Sequence, residues 1–207
     1  DYVFSWLGNV DLLLAIIKLL EDRLNADNDI NEVGVQLILL VEDSVRYYST
    51  YLPELYKMII KQSVEFMKET LNVQQRKLRK RSRPKILLAT NLDDAMAMYE
   101  KYKSNLLGVI SDVGFTVHRG EGPDKEKLDA GLDLVKHIKQ DDPMMPILLQ
   151  SSQDSIASVA KELGVGFLRK RSKTLMIKLY KYIKDEFGFG DFVFRDADNV
   201  EYGRAAN

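Results

Sequence analysis

Acidic side chains follow two short apolar runs of this 207-residue chain, and a lysine follows a third. Glu42 and Asp43 come directly after the first run, Asp112 ends the second, and Lys170 follows the third. Two like charges about 4 Å apart repel each other by roughly 4 kcal/mol at an effective dielectric near 20, so the adjacent acids need a cation. A divalent metal ion with oxygen ligands meets that need. Together with an ammonium group, such a site suits phosphoryl chemistry, in which an aspartate attacks phosphorus and cations neutralise the charge.

Short apolar runs alternate with helical patterns along the chain, and this alternation would bring the residues together. The runs begin at Leu37, Lys85, Leu106, Pro146 and Val165, and their length and continuity indicate strands buried on both faces. Helical spacing follows each run, which predicts right-handed crossovers and one parallel sheet with helices on both faces. Ligands bind at the carboxyl edge of such a sheet. There the strand ends collect three acids, a lysine and the hydroxyl of a serine.

Composition excludes several classes of protein. The formal net charge of −1 gives no overall attraction to nucleic acid or to a membrane, and the lack of cysteine rules out disulfides and cysteine-based zinc sites. No apolar run reaches the roughly 18 residues of a membrane-spanning helix. His118 and His137 are too far apart in the chain to suggest a metal pair. We therefore expect a cytoplasmic globular domain with extensions.

The N-terminal extension, residues 1–31, is expected to contain a helix from about Asn9 to Asn25 and then a polar linker. Two interpretations remain open for it. The helix either packs against the main domain or ends a preceding module, in which case its apolar face would favour a homodimer. The chain begins without Met or a signal-peptide pattern, which suggests a fragment. The next helix, after Ser44, is longer than a crossover needs, and Pro53 should kink or restart it.

Three further segments carry open predictions. The basic run at 76–85 is expected to be a solvated linker or a rim facing an acidic partner, because no aromatic residues accompany it as in a nucleic-acid site. The polar loop at 116–127 would cover the strand ends. The tail at 189–207 is either a small hairpin, with a turn at Asp198 and Asn199, or the start of another domain.

Four segments resemble, in the same order, the signature segments of the response-regulator receiver domain. The resemblance covers residues 32–188 and implies an α/β, flavodoxin-like fold with a doubly wound, five-stranded parallel sheet of order 2-1-3-4-5. It also implies a phosphoacceptor signalling domain and not a free-standing enzyme. The extensions look similar to receiver segments near the N-terminus of phosphoenolpyruvate synthase/pyruvate phosphate dikinase-like multidomain proteins. The four segments are Leu39–Ser44, Val109–Asp112, Ile147–Ser151 and Phe167–Lys170.

The resemblance assigns a role to each residue at the strand ends. Asp112 would be the phospho-acceptor, and Lys170 would bind the phosphoryl group. Ser151 and Phe167 would be the hydroxyl and the aromatic side chain of the switch. A histidine kinase or phosphotransfer protein would supply the phosphoryl group, and a downstream domain of the same polypeptide would respond. The implied Mg²⁺ ligands are the side chains of Glu42, Asp43 and Asp112 and the backbone carbonyl of Gly114.

The chain departs from the receiver pattern in ways that keep two alternatives open. Arg171 stands where receivers have a cis proline, and we expect a trans bond there because cis without proline costs about 2.5–4 kcal/mol. The loop after Asp112 is also longer and lacks an early proline. These departures allow a degenerate receiver that only mediates protein contacts. A haloacid-dehalogenase-like phosphatase would need a second aspartate where this chain has Gly114.

Overall fold

The structure, a computed structural model, describes residues 2–6, 8–68, 83–189, 192–195 and 201–205. Five strands form one parallel sheet of order β2-β1-β3-β4-β5, which confirms the predicted flavodoxin-like α/β fold. Each strand coincides with one of the apolar runs. The side chains of β1, β2 and β4 are buried on both faces, as are most of those of β3, whereas the edge strand β5 is only partly buried. The strands are β1 (Leu37–Val41), β2 (Lys85–Ala89), β3 (Leu106–Asp112), β4 (Ile147–Ser151) and β5 (Gly166–Arg169).

Six described helices flank the sheet, together with short 3-10 turns at Lys103–Asn105 and Pro123–Lys125. Asn91 begins the third of these helices as predicted, because its side-chain oxygen accepts the backbone N–H of Asp94 at 2.8 Å. The helices are α1 (Asp11–Val33), α2 (Val45–Lys68), α3 (Leu92–Tyr102), α4 (Ala130–Asp141), α5 (Ile156–Glu162) and α6 (Leu175–Asp185).

The sheet separates two apolar cores. Alternate residues of β1 point to opposite faces, so that Ile38 and Leu40 join one core while Leu39 and Val41 join the other. The first core is filled by α2 and α6, and the second by α3, α4 and α5. Both faces of the parallel sheet are thus covered. The strand ends are held at one rigid edge.

The predicted polar linker at 25–31 was wrong, because α1 continues through it to Val33 and ends at Gly34, where φ is 67°. Ion pairs with distant residues hold this polar half of the helix. Asp27 pairs with Lys101 at 2.8 Å, and Asp29 pairs with Lys85 at 2.7 Å. The polar composition of this segment indicated a linker, but the ion pairs with distant residues stabilise a helix there instead.

Helix α2 runs through Pro53 as one element, so the predicted restart at this residue does not occur. The C-terminal tail forms an antiparallel pair, β6 (Phe192–Arg195) with β7 (Glu201–Ala205), in agreement with the hairpin alternative. The predicted turn at 198–199 lies outside the described residues.

The edge of the sheet at β2 is covered by the N-terminal extension. The buried carboxylate of Asp22, on α1, accepts the backbone N–H of Ile86 at 2.9 Å, and the hydroxyl of Tyr2 donates to the carbonyl of Leu88 at 2.7 Å. An uncovered edge strand would leave such groups open to pairing with another chain. Side chains of the extension therefore cap the polar backbone groups at this edge of the sheet.

The prediction of a solvated linker was wrong for two residues of the basic run, because Lys85 is buried and the side chain of Arg83 is only 12% exposed. Arg83 makes two hydrogen bonds to Asp22, at 2.5 and 3.1 Å, and Lys85 begins β2 with its ammonium 3.6 Å from the same carboxylate. Residues 69–82 lie outside the described part of the chain. Among the helices that are described, none is long and apolar enough to cross a membrane.

Candidate functional site

Three carboxylates meet at the carboxyl edge of the sheet. Glu42 and Asp43 follow β1, and Asp112 is the last residue of the adjacent strand β3. One oxygen from each of the three lies within 4.8 Å of the others. Parallel pairing of β1 with β3 explains the meeting, because both strands end at the same edge. The three predicted acidic ligands are therefore placed together.

Backbone amides fix the direction of each carboxylate. The N–H of Ser44 donates to Glu42 Oε1 at 3.2 Å, and the N–H of Val113 donates to Asp112 Oδ1 at 2.7 Å. Asp43 Oδ2 accepts the N–H of the loop residue Thr116 at 3.3 Å. One oxygen of each carboxylate thus accepts a backbone N–H. The second oxygen is not used in these backbone hydrogen bonds.

Lys170 supplies the cation of the cluster. Its ammonium donates to Glu42 Oε2 at 2.6 Å and to Asp112 Oδ2 at 2.5 Å, and its side chain is only 5% exposed. The backbone N–H of Lys170 donates to the carbonyl of Ser151 at 2.8 Å, which extends the pairing of β5 with β4. The next peptide bond is trans, as expected, and Arg171 adopts a φ of 67°.

The charges of the cluster do not balance. Burial, and then the charge of Asp112, raise the pKa of Glu42. Burial, followed by the charges of Glu126 and Asp112, raises the pKa of Asp43 to about 6. Burial alone would lower the pKa of Lys170, but the charges of Glu42 and Asp112 outweigh it and raise that pKa. One ammonium shared among several carboxylates leaves room for a further cation.

The donor set fits Mg²⁺. This ion prefers oxygen ligands at roughly 2.1 Å in an octahedron and retains several waters. Oxygens bound to one such ion lie at most about 4.2 Å apart, so the present spacing, within 4.8 Å, requires only a small closure. Two or three carboxylates with a carbonyl from the loop after Asp112 would complete the protein's share of the ligands.

The remaining predicted residues lie around this cluster. Ser151 ends β4, next to β3, and its hydroxyl accepts the backbone N–H of Gln153 at 3.1 Å. Phe167, in β5, is half-buried against the core that contains α5. Gly114 lies against the carboxylate of Glu126, which would have to move to admit a β-carbon at this position. Their roles in metal binding and switching stay predictions.

Sequence reasoning missed three side chains near the cluster. The ammonium of Lys170 lies 4.3 Å from the ring centroid of Tyr47, whose hydroxyl accepts Arg171 Nε at 3.2 Å. Tyr51 packs beside Tyr47, with ring centroids 6.0 Å apart, and its buried hydroxyl has no hydrogen-bond partner among the residues that the structure describes. The four-residue spacing of the tyrosines on α2 was a usable signal. No local pattern indicated Glu126, because only the folding of the loop brings its charge near Asp43.

The long loop after Asp112 borders the site. An antiparallel bridge joins Phe115 to Lys127, with N–H···O distances of 3.2 and 3.0 Å, and Phe115 is buried. Arg119 and His118 form ion pairs with acids in the first turn of α3. The loop is thereby held between α3 and the acidic cluster. This placement brings Thr116 and Glu126 to Asp43.

The fold is similar to that of solved receiver domains. A response regulator receiver domain from Clostridium thermocellum is 19% identical, with 75% of this chain and 96% of that chain covered and a TM-score of 0.48. A chain of the CheX–CheY–BeF3–Mg²⁺ complex from Borrelia burgdorferi is 16% identical, with 76% and 93% covered and a TM-score of 0.48. The NtrX receiver domain from Brucella abortus is 20% identical, with 72% and 98% covered and a TM-score of 0.42.

No protein-family model matches this chain, and no curated protein matches it either. The likeness to the solved structures concerns the fold alone. The chemistry of this chain is therefore inferred from its own side chains.

Proposed function

We propose that this chain is a phosphoacceptor signalling domain in which Asp112 receives a phosphoryl group with the help of Mg²⁺. The observation that supports this most directly is the ammonium of Lys170, which bonds both Asp112 and Glu42 at 2.5 and 2.6 Å. Such an arrangement places a nucleophilic carboxylate, a second acid and a cation within reach of one phosphoryl group. Histidine kinases or phosphotransfer proteins are the expected donors.

Each residue of the cluster has a defined part in the proposed transfer. A carboxylate oxygen of Asp112 bonds to phosphorus while the bond from phosphorus to the donor breaks, and the donor atom, a histidine nitrogen or an oxygen of acetyl phosphate, takes the electron pair. Lys170 neutralises charge on the phosphoryl oxygens. Bound Mg²⁺, held by Glu42, Asp43, Asp112 and the carbonyl of Gly114, would supply positive charge at the same oxygens.

The response to phosphorylation would start at Ser151. The phosphoryl group on Asp112 would bring new acceptor oxygens. These would draw the hydroxyl of Ser151 away from the N–H of Gln153, and Phe167 would then pack inward. To change the population ratio of the switched to the unswitched conformation from 1:99 to 99:1, phosphorylation must favour the switched one by about 5.5 kcal/mol. Several charge-assisted hydrogen bonds must therefore form together. The altered surface around β4 and β5 would be read by a downstream domain of the same polypeptide, as the multidomain resemblance implies.

The proposal is tested by incubating the chain with acetyl phosphate and measuring the intact mass. We expect a gain of one phosphoryl group with Mg²⁺ and none with a chelator. Asp112→Asn should abolish the gain, whereas Asp154→Asn, which changes an exposed aspartate paired with Arg169 at 3.2 Å, should retain it. A wild-type chain that is never modified would support the degenerate, contact-only alternative.

A further inference from the structure

Helix α1 presents two apolar faces, and only one of them packs on its own protomer. The outward face carries a stripe in which exposed residues recur at alternating steps of three and four. We call Val10, Leu13, Ile17, Leu20 and Leu24 the outer stripe. The inward face carries the same spacing shifted by two residues, about 200° around the helix. Its buried members are Leu12, Ala15, Leu19, Asp22 and Ala26.

The outer stripe is large for a monomer. With the adjacent Leu14, which is also exposed, it displays on the order of 700 Å² of apolar side chain, while the largest patch of a monomer is typically about 300–600 Å². One partner of a standard interface contributes roughly 800 Å². The stripe together with Leu14 therefore approaches the share that one protomer gives to a stable dimer.

We propose that α1 is the interface of a homodimer in which two copies of the helix pack in parallel through the outer stripe. The alternating spacing matches the a and d positions of a coiled-coil heptad, with Val10, Ile17 and Leu24 at a and Leu13 and Leu20 at d. Two of the three a residues, Val10 and Ile17, are β-branched and both d residues are leucine, a combination that favours two parallel strands. A two-fold axis along the helices brings each stripe residue to its own counterpart.

The next two heptad positions show where the seam ends. Asp27, at d, bonds Lys101 and Tyr102 of its own protomer, both at 2.8 Å. Asn31, at the following a position, is exposed. The proposed seam therefore runs from Val10 to Leu24, and the polar end of α1 contacts its own protomer and solvent.

The oligomeric state of the whole chain tests the proposal. Multi-angle light scattering at micromolar concentrations should give a dimer for the wild type and a monomer for Ile17→Glu, with the helical signal in circular dichroism unchanged. Leu20→Glu provides a second variant in case the first is unstable. Ile177→Glu on α6 is the matched control, because Ile177 is 71% exposed and Ile17 61%, and this variant should stay dimeric.

The orientation is tested by disulfide formation, which the absence of cysteine in the chain makes simple. In a parallel dimer, Leu13→Cys should cross-link to itself on oxidation, and Leu24→Cys should do the same. In an antiparallel dimer the two variants would cross-link only when mixed, which would overturn the parallel arrangement. A monomeric wild type would overturn the homodimer and assign the stripe to another segment or protein. A dimer insensitive to both glutamate variants would also overturn it.

Discussion

Tyr47 distinguishes this site from a simple set of acids and a lysine. Its ring lies against the Lys170 ammonium, and its hydroxyl bonds Arg171, the residue with the positive φ. A metal ion that takes the carboxylates of Glu42 and Asp112 would remove the present partners of Lys170. The ring of Tyr47 would remain, so it can keep the ammonium in place while the phosphoryl group arrives.

We therefore expect Tyr47→Leu to slow the Mg²⁺-dependent reaction with acetyl phosphate by about two- to thirtyfold, because a partly desolvated cation–π contact contributes roughly 0.5–2 kcal/mol. Tyr47→Phe keeps the ring and loses only the bond to Arg171, so its rate should stay close to that of the wild type. The rate of mass gain measures both. Equal losses in the two variants would show that the hydroxyl, and not the ring, is what matters.

At the scale of elements, α1 is joined to the sheet by one buried carboxylate. Asp22 is fully buried and accepts bonds from Arg83, from the hydroxyl of Tyr56 and from the N–H of Ile86. These partners come from α2 and from the segment that starts β2. Asp22 therefore links three parts of the chain that are distant in sequence.

Asp22→Ala should lower the free energy of unfolding by about 3–5 kcal/mol, because it removes the nearest carboxylate from the largely buried guanidinium of Arg83 and leaves it with the more distant Glu21, at 4.0 Å. Urea denaturation measures this change. The control is Asp27→Ala on the same helix, which breaks only exposed bonds to Lys101 and Tyr102 and should cost less than about 1 kcal/mol. Similar losses in both variants would contradict a structural role for the buried carboxylate.

At the scale of the whole molecule, the free energy of unfolding depends on pH through the carboxyl groups of the acidic cluster. The pKa of Asp43 is raised to about 6, and that of Glu42 is raised as well. Between about pH 4 and these values the folded state binds more protons than the unfolded state. The stability that Glu42 and Asp43 contribute to the metal-free chain is thus fully present below the ordinary carboxyl pKa, and it is lost as the pH rises through the raised values.

Mg²⁺ should reverse this trend, because it binds the deprotonated carboxylates. Without metal, the free energy of unfolding should fall by on the order of 1–2 kcal/mol between pH 5 and pH 8, after allowance for solvent screening. With Mg²⁺ the melting temperature should rise more at pH 8 than at pH 5. Asp43→Asn should weaken both effects. A metal-induced rise that is the same at both pH values would contradict the linkage.

The sequence predicted the sheet and the acidic cluster because both depend on local signals. Continuous apolar runs mark the strands, and parallel topology carries Asp43, Asp112 and Lys170 to one edge. The length of α1 was missed because its polar half is held by Lys85 and Lys101, which are distant in sequence. The contacts of Tyr47 and Glu126 depend on the final packing, and no local pattern encodes them.

Locating the phosphoryl group by chemical trapping tests the central claim most directly. Borohydride reduces an acyl phosphate to an alcohol, so a phosphorylated aspartate becomes homoserine in the peptides of the treated chain. After reaction with acetyl phosphate and Mg²⁺, we predict homoserine at position 112 and unmodified Glu42 and Asp43. Reduction at either of those neighbouring acids, or no reduced acid in a chain that has gained phosphoryl mass, would contradict the assignment of Asp112 as the acceptor.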